Sequence, residues 1–285
     1  MMRSMYAAIS GLKVHQTMLD VTSNDIANVN TLGYKAQRTT FKESLSQLQR
    51  GAAAPNAAQG GSNAIQIGLG VQLGSIKNSM GAGAIQQTGN PLDLAIQGDG
   101  FFRVGNGSVI ASGSGYSYTR AGNFTLDSSG TLVTQDGNFV IGYGYNAGTT
   151  SFPVATANET KITIPAGGKS VTIGADGVVS YVDAAGAVQK LAQISMAKFP
   201  NQDGLQRVSG NLFNATNNSG AEVASVPGDA TTGMGTLAAG AVEMSNVDLA
   251  REFTTMITAQ RGYEANSRVI SMADQMLQNL VNIGR

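Results

Sequence analysis

The sequence predicts a mainly β chain with one long helix at each end. Apolar residues recur at intervals of seven only near the two termini, at Met5, Leu12, Leu19 and Ile26 and again at Leu249, Met256, Tyr263, Ile270 and Leu277. A spacing of seven keeps such side chains on one seam of a helix, and a seam needs a partner helix. The 285 residues also include 37 glycines and no tryptophan, which is typical of turn-rich β-structure. We therefore expect the terminal helices to pair as a coiled-coil-like inner domain beside a central β domain.

The first helix is predicted from about Ser4 to Val29. Asn30 and Gly33 mark its end, and Gly33 suits the left-handed conformation that often caps a helix. No charged side chain occurs in residues 51–76, where Ala, Gly, Gln, Asn and Ser dominate. Such a composition makes a poor core, so we expect a flexible or surface-hugging linker there.

Residues 92–213 are predicted to form short strands between tight turns. Asn-Gly or Asp-Gly pairs, which favour such turns, recur at Asn106-Gly107, Asp136-Gly137, Asp176-Gly177 and Asp203-Gly204. Strand-like runs lie among them at Leu92–Ile96, Phe101–Val104, Phe124–Leu126, Leu132–Val133, Phe139–Tyr143, Lys161–Ile164, Val171–Ile173, Val178–Val182 and Ile194–Phe199. A turn spacing of roughly ten residues predicts an antiparallel sandwich or open barrel.

The last helix is predicted to start after a cap at Ser245 or Asn246, with Asp248 in its first turn, and to run to about Ile283. Three parts follow from these elements. Residues 1–30 and 245–285 form a helical inner core, and residues 91–218 form the β-rich outer domain. Residues 31–90 and 219–244 are expected to be a linker or extended arm between them.

Composition and motifs argue against several classes of function. With 18 basic and 18 acidic side chains, the chain has no electrostatic footprint for nucleic acid or an anionic membrane. It has no cysteine, no cleavable secretory signal and no apolar run long enough to span a bilayer. The stretch Gly167-Gly168-Lys169-Ser170 lacks the first glycine of a phosphate-binding loop, because Thr163 stands there. The single histidine, His15, lies beside the first seam and is expected to pack. We therefore expect that the protein is not an enzyme and that it has no cofactor or metal site.

Four groups of motifs resemble the bacterial flagellar axial proteins of the rod and hook, and together they span nearly the whole chain. They are Ser10-Gly11-Leu12 with Leu19-Asp20-Val21, residues 24–31 (NDIANVNT) and 33–35 (GYK); residues 92–102 (LDLAIQGDGFF); residues 118–124 (YTRAGNF); and residues 245–249 (SNVDL) with 259–267 (AQRGYEANS). One departure is Asp25, where the family usually has a second asparagine.

The resemblance implies a structural subunit that is exported through the flagellar type III apparatus without a cleavable signal peptide. Residues 243–249 and 280–285 look more like the hook protein, whereas the length of 285 residues is close to that of distal rod proteins. We predict a hook subunit that polymerises into a flexible tube, joins rod to filament and transmits motor torque. The implied partners are copies of itself, rod proteins, a hook cap protein and hook-filament junction proteins. The alternatives are a distal rod protein or, from another class, a β-rich surface adhesin module.

The residues expected to carry assembly follow from the seams and the resemblance. The nine heptad residues named above are expected to pack the helices of many copies into a tube. Polar side chains are expected to fix the register between helices, at Asn24, Asn28, Asn246 and Asn266. The alternative is that each helix packs back on its own domain.

Overall fold

The chain forms two compact units in a computed structural model that describes residues 2–55, 60–107, 115–145 and 159–283. The helical unit combines Met1–Ala27, Gln37–Ser79 and Asp248–Arg285. The β unit combines Asn28–Ala36 and Met80–Val247. The chain therefore passes between the units four times, after residues 27, 36, 79 and 247.

Two long helices and two hairpin-like strand pairs make up the helical unit. Helix α1 spans Met2–Ala27 and α2 spans Leu249–Ile283. Strand β1 (Gln37–Glu43) pairs antiparallel with β4 (Val71–Asn78), and β2 (Ser46–Arg50) pairs antiparallel with β3 (Ile65–Gly68). Strand β3 and most of β4 lie in the charge-free segment 51–76, for which we expected a linker. Residues 56–59 of that segment lie outside the described residues.

Helix α2 begins at Leu249 because Asp248 caps it. The Asp248 carboxylate accepts the Ala250 N–H (3.0 Å), and the Asp248 carbonyl accepts the Glu252 N–H (2.9 Å). Our prediction of a cap at Ser245 or Asn246 was wrong. Ser245 Oγ instead accepts the N–H of Val247, which precedes the helix (3.3 Å).

The β unit is an antiparallel sheet with smaller strand pairs beside it. The main path runs β13-β14-β15-β11-β7-β8-β18-β17, with β9, β10, β12, β16 and β19 attached, while β20 pairs with β6 and β21 pairs with β5. The strands are β5 (Ile85–Gln87), β6 (Leu94–Gln97), β7 (Phe101–Gly105), β8 (Ser117–Thr119), β9 (Thr125–Leu126), β10 (Leu132–Val133), β11 (Phe139–Gly144), β12 (Glu159–Lys161), β13 (Lys169–Ile173), β14 (Val178–Val182), β15 (Val188–Ile194), β16 (Met196–Lys198), β17 (Gln206–Arg207), β18 (Leu212–Asn214), β19 (Val223–Ser225), β20 (Thr236–Ala239) and β21 (Ala241–Glu243). The predicted class, mainly β and antiparallel with long terminal helices that pair, is confirmed.

Alternation along β7 gives the β unit two apolar cores. Phe102 and Val104 point into one cluster, which includes Phe124 and Ile194, whereas Phe101 points into the other. Successive side chains of a strand face opposite sides of the sheet, so neighbouring phenylalanines fill different cores. The second cluster is aromatic, and it contains Phe101, Tyr116, Tyr118, Phe199 and Phe213.

A buried charge cluster fastens the β unit where the chain enters and leaves it. The Lys35 ammonium donates to Glu243 Oε1 (2.6 Å) and to the Gly81 carbonyl (2.9 Å). Arg120 donates to Glu243 Oε2 (3.2 Å), and the Gly83 N–H donates to Glu243 Oε1 (2.8 Å). Burial lowers the pKa of Lys35, and the Glu243 carboxylate offsets part of that effect. The cluster therefore joins three segments of chain through one carboxylate.

Glu243→Gln is expected to destabilise the β unit by about 3–5 kcal/mol, because it leaves two buried cations without a compensating charge. The matched control is Asp99→Asn. It removes the partner of Lys198 in an exposed ion pair (3.0 Å) and is expected to cost less than about 1 kcal/mol. Urea unfolding of the full chain, followed by circular dichroism, measures both changes. Equal midpoints for the two variants would contradict this reading of Glu243.

Candidate assembly interface

Helices α1 and α2 pack against each other in antiparallel directions. A Cβ added at Gly11 would lie 2.7 Å from Asn266 Nδ2, and one added at Gly262 would lie 2.5 Å from His15 Cε1. Nearer the other end, the carboxylates of Asp25 and Glu252 interact electrostatically. Residue numbers rise along α1 as they fall along α2, so the helices run in opposite directions. In each facing pair, 11 with 266 and 15 with 262, the two residue numbers add up to 277.

The contact is reciprocal, because each helix gives a glycine to a side chain of the other. Gly11 receives Asn266, and Gly262 receives His15, which lies one turn after Gly11. The Asn266 amide also donates to the Gly262 carbonyl (2.9 Å). Without side chains at 11 and 262, the backbones approach closely, and a shift of the register would place larger residues in this gap. Two glycines and two polar side chains thus fix the register of the pair.

The seam, by which we mean the facing surfaces of α1 and α2, is built from small and polar residues. The buried residues of α1 are Ala8, Gly11, Val14, Thr22 and Asp25. The buried residues of α2 are Glu252, Ala259 and Ala273. In α2 these three positions and Asn266 repeat at intervals of seven, three residues after the heptad that we predicted.

The nine predicted seam residues therefore lie beside the seam and not at its centre. Seven are half-buried, namely Met5, Leu12, Leu19, Ile26, Met256, Ile270 and Leu277. Leu249 and Tyr263 are each 40% exposed. A sequence search for large apolar residues finds the predicted heptad positions. It misses the Glu, Ala and Asn positions of α2, three residues later in each heptad, which face α1.

The four predicted register asparagines are placed differently from one another. Asn266 lies in the seam, whereas Asn24 is exposed on α1. Asn28 and Asn246 belong to the β unit, and their role in the register between helices stays a prediction. Asn28 Oδ1 accepts from the Thr31 hydroxyl (3.1 Å), and Asn246 Oδ1 accepts the Ala36 N–H (2.8 Å).

The paired strands of the helical unit lie along α1. Ser10 Oγ accepts the Val71 N–H (3.2 Å), and the Asp25 carboxylate accepts the Gln37 N–H (2.9 Å). The ring of Phe41 meets His15 edge-on with 5.9 Å between centroids. His15 therefore packs between α2 and β1, as expected for a packing residue. This strand contact was not predicted, because the partner strand β4 lies mostly in the charge-free segment for which we expected a linker.

Large apolar side chains of the helical unit point mainly outward. In the described residues, its buried apolar side chains are only Ala8, Val14, Ala259 and Ala273. Twenty of the twenty-five exposed large apolar side chains belong to this unit, and five belong to the β unit. The β unit buries most of its large apolar side chains, as a globular domain does. The helical unit leaves most of its large apolar side chains exposed to solvent.

Among the described residues, no group of three or more His, Asp or Glu side chains is placed to hold a metal ion. No described helix is long and apolar enough to cross a bilayer. A cleft of about 350 Å³ in the β unit is lined by Thr31, Asn123, Asp136 and Asn211, among others, and Asp136 is its one charged side chain.

Comparisons with known proteins match all parts of the chain to one group. Residues 5–35 match the model of flagella basal body rod proteins, residues 95–181 match the D1 domain of the flagellar hook protein FlgE/F/G, and residues 238–283 match the C-terminal model of flagellar basal body rod FlgEFG proteins. The flagellar basal-body rod protein FlgG of Bacillus subtilis is 49% identical over 286 residues, covering 100% of both chains. The chain belongs to the flagellar rod and hook protein family.

Two further relatives show how the similarity is distributed within the family. The flagellar basal-body rod protein FlgG of Caulobacter vibrioides is 39% identical, with 97% of each chain covered. The flagellar hook protein FlgE of Borreliella burgdorferi is 26% identical over 448 residues, with 99% of this chain and 100% of the hook protein covered. The family resemblance expected from the motifs is confirmed. The chain is therefore a component of the bacterial flagellum and its basal body.

Gly262→Ala is expected to weaken helix pairing, although alanine alone favours a helix by about 1 kcal/mol over glycine. The added Cβ would force the His15 ring to move. His15→Ala in the same chain is expected to remove most of the penalty. Thermal unfolding of the four chains of this cycle, followed at 222 nm, is expected to give a coupling of about 1–2 kcal/mol. Additive effects would contradict direct contact between the two positions.

Glu252→Gln is expected to flatten the pH dependence of helix stability. Burial, with the Asp25 carboxylate adding to it, raises the pKa of Glu252, while Arg251 and Arg38 oppose the rise. A group with a raised folded-state pKa stabilises fully below its ordinary value of 4.5 and loses this contribution as the pH rises through the folded-state pKa.

Melting of the helices at 222 nm between pH 4 and pH 8 measures the change. The wild-type chain is expected to lose more helix stability on going to neutral pH than Glu252→Gln does. Glu264→Gln, at an exposed position of α2, serves as the control and is expected to follow the wild-type chain. Parallel profiles for all three chains would contradict the assignment.

Proposed function

We propose that the chain is a structural subunit of the distal rod of the flagellar basal body and that it polymerises through its helical unit. The observation that supports polymerisation is the outward-facing apolar surface of that unit. Its exposed large side chains range from 36% to 74% exposure. The β unit contains more residues but exposes only five such side chains among those described.

These side chains lie on both helices and on the strands of the helical unit. An apolar surface that is spread over several elements can contact more than one neighbour. A polymer of identical chains supplies such neighbours without another protein, and a head-to-tail contact that does not close into a ring extends into a filament.

The rod is favoured over the hook by the pattern of relatives. Relatives named as basal-body rod proteins match this chain from end to end at 49% and 39% identity, whereas the hook protein of Borreliella burgdorferi reaches 26%. That hook protein also requires an alignment of 448 positions, far longer than the 285 residues of this chain. We therefore propose the distal rod, our alternative, in place of the hook that the terminal motifs favoured.

The proposal keeps most of the partners that the resemblance implied. Copies of this chain, neighbouring rod proteins and the type III export apparatus remain its proposed partners. The hook cap and hook-filament junction proteins were tied to the hook assignment and are not part of it. The role proposed for Leu12, Leu19, Met256 and Ile270 is to pack helices of neighbouring copies, since all four are half-buried at the edge of the seam. No catalytic step and no cofactor belong to this function.

The adhesin alternative lacks the surface that it needs. A carbohydrate-binding face usually presents aromatic rings, and no aromatic side chain is among the exposed large residues of the described β unit. Phe101, Phe102, Tyr118 and Phe199 are instead buried in the two cores.

Electron microscopy of the purified full-length chain tests the proposal, after slow concentration in ammonium sulfate, which strengthens apolar association. The wild-type chain is expected to form straight tubes, and Ile270→Asp is expected to stay monomeric with its β unit folded. Ser271→Asp is the control, because Ser271 is exposed on the same turn, and it is expected to polymerise. Curved tubes would restore the hook assignment. Soluble monomers of the wild-type chain at every sulfate concentration would contradict self-assembly.

A further inference from the structure

Among the described strands of the main sheet in the β unit, β13 is the one edge strand that is long enough to accept another strand. The sheet path begins at β13 and ends at β17. Strand β17 has only two residues, and its Arg207 donates to the carbonyl of Lys35. The strands attached at the side of the path are two or three residues long. Strand β13 has five residues, and within the described part of the chain it pairs with β14 alone.

An unpaired edge of this length invites association between copies. It presents backbone N–H and C=O groups with which a strand of another molecule can pair. The same edge is present on every copy, so two copies can join edge to edge by the same surface. Natural sheets protect their edges with short strands, charged side chains or bulges. The short β17 belongs to the first of these classes, and β13 needs a different protection.

An extra residue interrupts β13. Its register with β14 shifts between Lys169 and Thr172. Two residues of β13, Ser170 and Val171, therefore stand opposite the single residue Tyr181 of β14. This arrangement is a β-bulge, which bends the strand and increases its twist.

The extra residue also decides where the charge of Lys169 lies. Val171 and Ile173 pack against the first apolar core of the β unit. Because side chains alternate along a strand, a regular strand would direct Lys169 to the same face as these two residues. Lys169 is instead exposed. The bulge thus keeps a positive charge at the surface of the edge strand.

Ser170 is held in a backbone conformation that serine seldom adopts. Its φ is +50°, in the left-handed region where a Cβ meets steric resistance. Ser170 is also exposed, so no core packing explains its position. Residues 167–170, which resembled the end of a phosphate-binding loop, instead lead into this bulge. A strained residue that persists at a surface edge points to a role for the irregularity itself.

We propose that the bulge at Ser170 prevents β13 from pairing with β13 of another copy. The bend removes the straight row of backbone groups that a second strand requires, and Lys169 adds a charge at the same point. Contacts between copies are thereby left to the helical unit. The protection acts on any two folded β units, whether or not the helical unit polymerises.

Deletion of Ser170 is the direct test, because it removes the extra residue without moving the pairs on either side. Lys169 remains opposite Val182, and Thr172 remains opposite Ser180. Lys169 then adjoins Val171 in the strand and still faces away from the core. The deletion therefore produces a regular edge on an otherwise unchanged sheet.

The deletion is made in the full-length Ile270→Asp chain, in which the helical unit is expected not to drive association. Size-exclusion chromatography with light scattering measures the molar mass of each chain. The Ile270→Asp chain is expected to be monomeric, and the added deletion of Ser170 is expected to give dimers and larger species. Monomers of the deletion variant would overturn the proposal.

Two further variants separate edge pairing from misfolding. Ser170→Gly keeps the extra residue and relieves its strain, because glycine adopts a positive φ without steric cost. It is expected to stay monomeric and to unfold at the same or a higher temperature. Thr172→Lys, at an exposed position of β13, is added to the deletion variant, where it places like charges side by side in any pairing of two β13 strands. It is expected to restore the monomer, and equal association with and without Thr172→Lys would overturn the proposal.

Cysteine cross-linking locates the contact. The chain contains no cysteine, so Thr172→Cys chains can be joined by a disulfide only at this position. Oxidation is expected to give several-fold more disulfide dimer when Ser170 is deleted than when it is present. Equal yields from the two chains would contradict a role for the bulge at this edge.

The outcomes are independent of those that test the proposed function. Tubes from the wild-type chain together with a monomeric deletion variant would overturn the edge protection and leave self-assembly standing. Association of the deletion variant, suppressed by Thr172→Lys, would support the edge protection even if the wild-type chain formed no tubes.

Discussion

The close approach of α1 and α2 at Gly11 and Gly262 is the constraint on which the helical unit depends. Asn266 and His15 occupy the space that these glycines leave open, so the seam accepts only small or polar residues around them. The large apolar residues of both helices are thereby directed away from the seam. A helix pair held together in this way has its apolar surface on the outside, and it gains stability when other helices cover that surface.

The β unit, in contrast, buries its apolar side chains and pairs its buried charges within one chain. Neighbouring residues Phe101 and Phe102 fill two separate cores, and Glu243 joins Lys35 and Arg120 where three chain segments meet. These interactions need no partner, and the exposed apolar residues of this unit are few. We propose that this division, between a unit that needs no partner and a unit whose apolar surface is exposed, is the physical basis for polymerisation.

Much of the fold was predictable, because local sequence determines it. The heptads predicted both helices, and Asp-Gly turns with alternating residues predicted the antiparallel strands. The centre of the seam was not predictable in the same way. Apart from Val14, its residues are Ala, Gly, Thr, Asp, Asn and Glu, which give little apolar signal, and their role depends on the partner helix. Strands β3 and β4 were missed for a similar reason, since their pairing with β2 and β1 depends on contacts across a segment whose composition resembles a linker.

Amide hydrogen exchange, compared between monomer and polymer, tests most directly whether the helical unit depends on its neighbours. The amides of α2 from 250 to 275 are expected to exchange at least a hundred-fold more slowly in the polymer, a change equivalent to about 2.7 kcal/mol. Those of β7 and β11, in the core of the β unit, are expected to exchange at similar rates in both states. Equal and strong protection of α2 in the monomer would contradict the account, because it would show that the helix pair is stable without a neighbour.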